Sequence, residues 1–124
     1  MAASEEYRLS DFLTGKSEHT LALFNHFINS FNTIGRIEAV PLKSMIGLDN
    51  GHKRIAYITQ LGKNFIHVVF PFKQEYPDNL CFQKIAQVPG QQQFNHHFRM
   101  LTPDDVNNEV LVFMKLSYCG EPEE

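Results

Sequence analysis

The stretch Lys63–Lys73, KNFIHVVFPFK, is the most strongly β-forming run in the sequence. Successive side chains of a β-strand point to opposite sides. One side of this strand would carry Ile66, Val68, Phe70 and Phe72. The other side would carry the mixed set Phe65, His67 and Val69. Because both sides are partly apolar, the pattern is typical of a central strand whose first side faces a core.

Helical patterns lie before and after this strand in the sequence. Ser17 can cap a helix that ends at Gly35, where we expect a left-handed backbone. Its apolar residues recur at spacings of three and four: Leu21, Phe24, Phe27, Ile28, Phe31 and Ile34. A second helix is predicted from Thr102 to Gly120, with a buried stripe of Val106, Val110, Phe113, Met114 and Ser117. A single helical turn is predicted at Leu9–Leu13.

The intervening segments predict strands and two hairpins. Arg36–Val40 reads as an edge strand before Pro41, and Lys43–Leu48 as a short strand or an irregular segment. The remaining strands pair around two turns, the first centred on Gly62 and Lys63 and the second at Pro89 and Gly90. Ile58 then lies opposite His67 in the first hairpin and Val88 opposite Phe94 in the second. We therefore predict an α+β fold: an antiparallel sheet of five to six strands with an N-terminal and a C-terminal helix packed on one face.

The overall composition limits the number of domains and the kind of partner. A length of 124 residues predicts a single domain over residues 1–124, with flexible ends at 1–6 and 120–124. A net charge of −3 provides no basic surface for duplex nucleic acid, although a single-strand binder stays open. The sequence has neither a signal-peptide pattern nor an apolar run long enough to cross a membrane. We expect a cytoplasmic protein with two free thiols, Cys81 and Cys119.

Motifs that would indicate an enzyme are absent from the sequence. It contains no dinucleotide-binding glycine motif, phosphate-binding loop, nucleophile elbow or zinc-protease motif. Its carboxylates lie mostly near the termini, in helix caps and in turns, which leaves no acid–base pair on the sheet. We therefore expect no catalytic residue, no cofactor and no resident metal, and a function that is not enzymatic.

The side of the sheet away from the helices is the predicted binding surface. Strand alternation places His67 and His97 on this side, together with Arg54, Phe65 and Arg99. Arginine forks suit carboxylate and phosphate groups, so Arg54, Arg99 and His97 could hold an anionic ligand. Apolar contact would come from Phe65, Ile58 and Ile85. A half-exposed sheet side that is polar only for solubility is the alternative interpretation, and a metal site would need a third ligand.

The chain also resembles a known family. The segments that carry the resemblance are YRLSDFLTGK, HTLALFNHFINSF, LKSMIGL and FNHHFRMLTPDDVNNEVLVFMKLSY. This pattern, from Tyr7 to Tyr118, resembles the small uncharacterised bacterial domains of the DUF type that share a YdhG-like α+β fold. The resemblance implies a fold but no catalytic residue. Relatives in the wider group have been linked to iron handling, and the acidic ridge that this role would favour is not evident here.

Three hypotheses of function follow. The first is a non-enzymatic module that binds a small anionic ligand or a protein partner through the open side of the sheet. The second is a metal-handling protein or an enzyme built on the sheet histidines. The third is homodimerisation through the same surface, because apolar residues in a polar frame often mark interfaces.

Overall fold

The computed structural model describes residues 7–121. Over these residues the chain forms three α-helices and one six-stranded sheet. The helices are α1 (Leu9–Leu13), α2 (Glu18–Ile34) and α3 (Asn108–Cys119). The strands are β1 (Glu38–Pro41), β2 (Ile46–Asp49), β3 (Arg54–Gly62), β4 (Phe65–Phe72), β5 (Lys84–Gln87) and β6 (Phe94–Met100). The sheet order is β1-β2-β3-β4-β6-β5 and every neighbouring pair is antiparallel. The predicted α+β fold is confirmed.

The core lies between the sheet and the helices and is built largely from phenylalanine. On β4, Ile66, Val68 and Phe70 are fully buried, as the alternation of the strand predicts. They meet Phe27 and Phe31 of α2, whose rings pack edge to face with centroids 5.4 Å apart. Burying each such side chain contributes about 1.5–3 kcal/mol to folding. β4 is therefore the centre of the core as well as of the sheet.

The two ends of α2 are set by different contacts. The Ser17 hydroxyl accepts a hydrogen bond from the backbone N–H of Thr20, which is the predicted cap. Gly35 does not adopt the predicted left-handed backbone, because its φ of −179° is an extended value open to any residue. The ring of Tyr118 occupies the place where a side chain at position 35 would lie. Gly35 thus serves close packing between the ends of α2 and α3.

The C-terminal helix begins later than the sequence predicts. Thr102 caps only a 3-10 turn at Pro103–Asp105, and the chain then leaves helical geometry at Val106. A second cap follows, in which the Asn107 side chain accepts from the N–H of Val110 and starts α3. The predicted buried stripe of α3 is otherwise found, and Gly120 ends the helix with a φ of +97°.

The β3–β4 register differs from the predicted one. Ile58 pairs with Val68 and not with His67, and an irregularity between Ile58 and Gln60 shifts the pairing again, so that Gln60 faces His67. Ile58 is therefore 1% exposed and lies in the core, so its predicted role on the open side is wrong.

The β5–β6 register is also displaced by one residue. Gln87 pairs with Phe94, where Val88 was predicted, and Val88 instead donates its N–H to the carbonyl of Gln93. The displacement places Lys84 opposite His97 and Ile85 opposite the buried His96. Ile85 therefore does not join the open side, and Lys84 does.

Residues 1–6 and 122–124, predicted to belong to the flexible ends, lie outside the described residues. Glu121 is described, and its carboxylate accepts hydrogen bonds from the backbone N–H groups of Lys73 and Gln74 and from the hydroxyl of Tyr76. These contacts fasten the segment after α3 to the end of β4.

Candidate functional site

The open face is the side of the sheet opposite the helices. The strand registers place on it Gly47, Asp49, Arg54, Tyr57, Gln60, Phe65, His67, Val69, Lys84, Ala86, Asn95, His97 and Arg99. All five residues of the predicted site lie on this face, but they fall into two groups.

The first group consists of Phe65, His67, His97 and Arg99, and at its centre the two histidines are in direct contact. Nε2 of His67 lies 2.9 Å from Nδ1 of His97, and the ring centroids are 5.1 Å apart. His67 is directly opposite Arg99, and His97 opposite Val69, so the two imidazoles are diagonal neighbours on adjacent strands. Long or aromatic side chains can bridge such a diagonal. We call this contact the imidazole pair.

The outer nitrogens of the imidazole pair are Nδ1 of His67 and Nε2 of His97. Within residues 7–121, neither has a hydrogen-bond partner on the protein. Every buried side-chain nitrogen or oxygen in this range does have a partner, so both outer nitrogens reach the surface. The pair therefore presents two ring nitrogens to a ligand.

Positive charge surrounds the imidazole pair. Burial lowers the pKa of His67, and the nearby Arg99 guanidinium lowers it further. Burial also lowers the pKa of His97, followed by the charges of His67, Lys84 and His96. Both rings are therefore neutral at pH values near 7, where Arg99 and Lys84 carry the local charge.

Arg99 is held in place by a stack of three groups. Its guanidinium carbon lies 4.4 Å from the ring centroid of Phe65. The Phe65 ring in turn covers Gly62, where any side chain would collide with it. A cation over an aromatic face is stabilised by about 0.5–1 kcal/mol at an exposed site. The stack fixes the guanidinium beside His67.

Arg54 belongs to a second, separate group. It forms an ion pair with Asp49, and the hydrogen bond to this carboxylate raises the pKa of Arg54. The guanidinium crosses Gly47, where a Cβ would lie 2.6 Å from its nitrogen, and its central carbon is 5.8 Å from the ring centroid of Tyr57. Within residues 7–121, no hydrogen bond, ion pair or ring contact joins Arg54 to the imidazole pair. Its charge is already compensated by Asp49.

Sequence reasoning missed Lys84 as a neighbour of the imidazole pair. Strand alternation alone could not locate it, because its face depends on the one-residue register displacement of β5. Tyr57 was missed because the β3–β4 register also differs from the predicted one, so that Tyr57 faces Val69 and not Val68.

Four further histidines of the described residues, His19, His26, His52 and His96, lie outside the imidazole pair. His96 is fully buried, with Nδ1 2.8 Å from the Phe94 carbonyl and Nε2 accepting from the N–H of Tyr76 at 3.1 Å. His19 and His26 are exposed on α2.

The part of the chain that the structure describes has no group of three or more His, Cys, Asp or Glu residues that could hold a metal ion. None of its helices combines the length and the apolar character needed to cross a membrane.

The fold and the site together define an α+β protein whose sheet has helices on one side only and carries, on its open face, an imidazole pair beside two cationic side chains, Arg99 and Lys84. No family model matches the chain, and no curated protein or solved structure was found to be similar to it. The resemblance to YdhG-like domains therefore stays a prediction.

Proposed function

We propose that the protein is a non-enzymatic binding module that holds the anionic group of a small ligand on the open face. The observation that carries this proposal is the imidazole pair, whose two outer nitrogens are unpartnered within residues 7–121 and lie beside Arg99 and Lys84. These groups offer charge and N–H donors to one anion. We place the module in the cytoplasm, and the two free cysteines, Cys81 and Cys119, are consistent with that location.

The electrostatics favour an anion over a cation at this site. Arg99 and Lys84 act on the imidazole pair as positive charges, and every charge that shifts the pKa of either ring is positive. Arg99 and Lys84 would attract an incoming anion, whereas they would repel a metal cation. Arg99 can also donate two parallel hydrogen bonds to a carboxylate or phosphate.

A titration with anions tests the proposal. We expect sulfate and phenyl phosphate to shift the NMR signals of the open face, and Arg99→Ala to weaken binding about tenfold through the loss of a charge-assisted hydrogen bond. Arg36→Ala is the matched control, because Arg36 is an exposed arginine between α2 and β1. Unchanged affinity in Arg99→Ala would remove the arginine from the site, and an absence of binding would overturn the proposed function.

The second candidate function, metal handling or catalysis by the histidines, would use the same imidazole pair. Nε2 of His67 and Nδ1 of His97 are 2.9 Å apart, which is a hydrogen-bond distance. Two nitrogen ligands of one tetrahedral zinc ion would be about 3.3 Å apart, so a metal bound by these two atoms would have to replace their hydrogen bond. A calorimetric zinc titration distinguishes the two functions. Tight stoichiometric binding that is lost in the His67→Ala/His97→Ala double variant would favour the metal function.

A protein partner, including a second copy of the chain, would cover the same face. Light scattering over a range of protein concentrations tests the second copy directly. A stable dimer that excludes sulfate from the imidazole pair would replace the small ligand in this proposal.

A further inference from the structure

The hydrogen bond between the two imidazoles limits what the neutral pair can offer a ligand. A neutral imidazole has one N–H donor and one bare acceptor nitrogen. If Nε2 of His67 donates to Nδ1 of His97, then Nδ1 of His67 is bare and Nε2 of His97 carries a proton. If the direction is reversed, the two outer roles exchange. In either case the neutral pair presents one outer donor and one outer acceptor.

The bare outer acceptor of the neutral pair cannot donate a hydrogen bond to an anion, and a single added proton changes it into a donor. The pair then holds three protons on four nitrogens, so the inner hydrogen bond survives and both outer nitrogens become N–H donors. An anion that accepts from both donors stabilises this singly protonated form. The pair is thus arranged to gain one proton without losing its internal contact.

The charges around the pair indicate how much negative charge the ligand carries. Arg99 and His96 act from β6 and Lys84 acts from β5, while the titratable group on the facing part of β3 is Tyr57. With the added proton, the pair, Arg99 and Lys84 supply three positive charges. A singly charged carboxylate would leave two of them uncompensated, whereas a dianion compensates two and offers more oxygen acceptors.

We propose that the imidazole pair takes up one proton on ligand binding and that its ligand is a doubly charged tetrahedral oxyanion, the chemistry shared by phosphate monoesters and sulfate. This inference rests on the proposed anion-binding function and specifies its ligand class and its dependence on pH. Linkage requires that affinity rise as pH falls, by about tenfold per pH unit above the pKa of the free pair.

Sulfate is the most direct probe, because it remains a dianion over the whole pH range of the experiment and releases no proton of its own. Calorimetry in two buffers with different ionisation enthalpies measures the protons taken up per anion bound. We expect about one proton at pH values near 7 and none well below the pKa of the free pair. NMR of the imidazole nitrogens should show both outer nitrogens, Nδ1 of His67 and Nε2 of His97, taking the shift of a protonated nitrogen as sulfate is added, while the two inner nitrogens continue to share one proton.

The double variant His67→Gln/His97→Gln retains hydrogen-bonding side chains but cannot titrate. It should bind sulfate with no proton uptake, no pH slope and an affinity about tenfold lower or weaker still. His26→Ala, which removes an exposed histidine of α2, should behave as wild type. The NMR measurement needs no variant and so holds even if the double variant does not fold.

Each outcome bears on the inference separately from the proposed function. Sulfate binding without proton uptake would keep the anion module and overturn the inference. Tighter binding of acetate than of sulfate, or of oligothymidylate than of phenyl phosphate, would overturn the dianion as the ligand class. Preference for phenyl phosphate over inorganic phosphate would indicate an ester whose organic part contacts the face, and equal affinity would indicate recognition of the phosphate group alone; both support the inference. If no anion binds, both proposals fail.

Discussion

At the scale of single residues, the hydroxyl of Thr20 ties α2 to the turn between β3 and β4. Its O–H donates to the carbonyl of Gly62 at 2.7 Å, and its oxygen accepts from the N–H of Asn64 at 2.8 Å. Thr20 is fully buried. A buried polar group that loses its partner costs about 1–3 kcal/mol, so these two hydrogen bonds are important for stability.

Thr20→Val is expected to lower the free energy of unfolding by about 1–3 kcal/mol, because it keeps the side-chain shape and leaves the Asn64 N–H without its acceptor. Urea denaturation measures the change. Thr33→Val is the control, since Thr33 is exposed on the same helix and, among residues 7–121, its hydroxyl bonds only to the Ser30 carbonyl. Equal losses in the two variants would contradict the role assigned to Thr20.

His96 makes stability depend on pH. Burial lowers its pKa below the ordinary value of 6.5, since the charged ring is disfavoured inside the core. In the unfolded chain the ring takes up a proton more readily than in the folded one. The stabilisation is therefore complete above about pH 6.5 and is lost as pH falls from there toward the lower folded-state pKa.

We expect wild-type protein to lose stability as pH falls below about 6.5, and His96→Gln to lose less over the same range although it is less stable at pH 7. Urea unfolding at a series of pH values gives both slopes. His26→Ala should keep the wild-type slope. The His67→Gln/His97→Gln variant isolates the share of the imidazole pair, and a wild-type slope in His96→Gln would show that His96 does not contribute.

At the scale of the elements, alternation within one strand was predictable and register between strands was not. The sides of β4 and β6 follow directly from their sequences, which is why His67, His97 and Arg99 were correctly placed on one face. Register depends on the position of the hairpin turn and on any residue that lacks a partner on the neighbouring strand. In β3–β4 the turn lies elsewhere than predicted, and the pairing shifts between Ile58 and Gln60. Ile58 was misplaced for this reason, and the register of β5–β6 likewise misplaced Ile85 and hid Lys84.

The turn position in β3–β4 is set by tertiary contacts. The sequence favoured a turn centred on Gly62 and Lys63, but the turn lies one position later, with Asn64 at a φ of +66°. Asn64 is held there by Thr20 and by the hydroxyl of Ser17, which donates to its side-chain oxygen at 2.8 Å. These contacts come from α2, more than 40 residues away. Local turn preferences could not include them.

Gly35→Ala tests the packing between the ends of α2 and α3. The added methyl would collide with the Tyr118 ring, so we expect a loss of about 1–3 kcal/mol, the usual cost of overpacking. The backbone at Gly35 is extended, so alanine itself causes no strain there. Thermal or urea unfolding measures the effect.

A double-mutant cycle identifies the cause of that loss. If the collision is responsible, Gly35→Ala should cost much less in a Tyr118→Ala background, and the two substitutions should not be additive. Additive losses would indicate that Gly35 matters for another reason.

At the scale of the whole molecule, one side of the sheet forms the core and the other side carries the proposed binding site. The helices cover one side, where Phe70 is fully buried among Phe27, Phe31 and Phe82. The open face carries Phe65, which is only half-buried beneath Arg99. The sequence predicted this division and the histidines on the open face. It could not predict the contact between their rings, because a distance between side chains on two strands depends on the register.

This separation predicts opposite outcomes for two phenylalanines of the same strand. Phe70→Ala should cost about 3–5 kcal/mol of stability, the usual effect of emptying a core position. Phe65→Ala should cost less than half as much, because its ring is partly exposed, but it removes the surface on which the Arg99 guanidinium lies and should weaken sulfate binding several-fold. Urea unfolding and sulfate titration on both variants provide the comparison. Phe65 and Phe70 lie on opposite sides of the same strand. If Phe65→Ala loses as much stability as Phe70→Ala and still binds sulfate normally, the open face belongs to the core and not to the site.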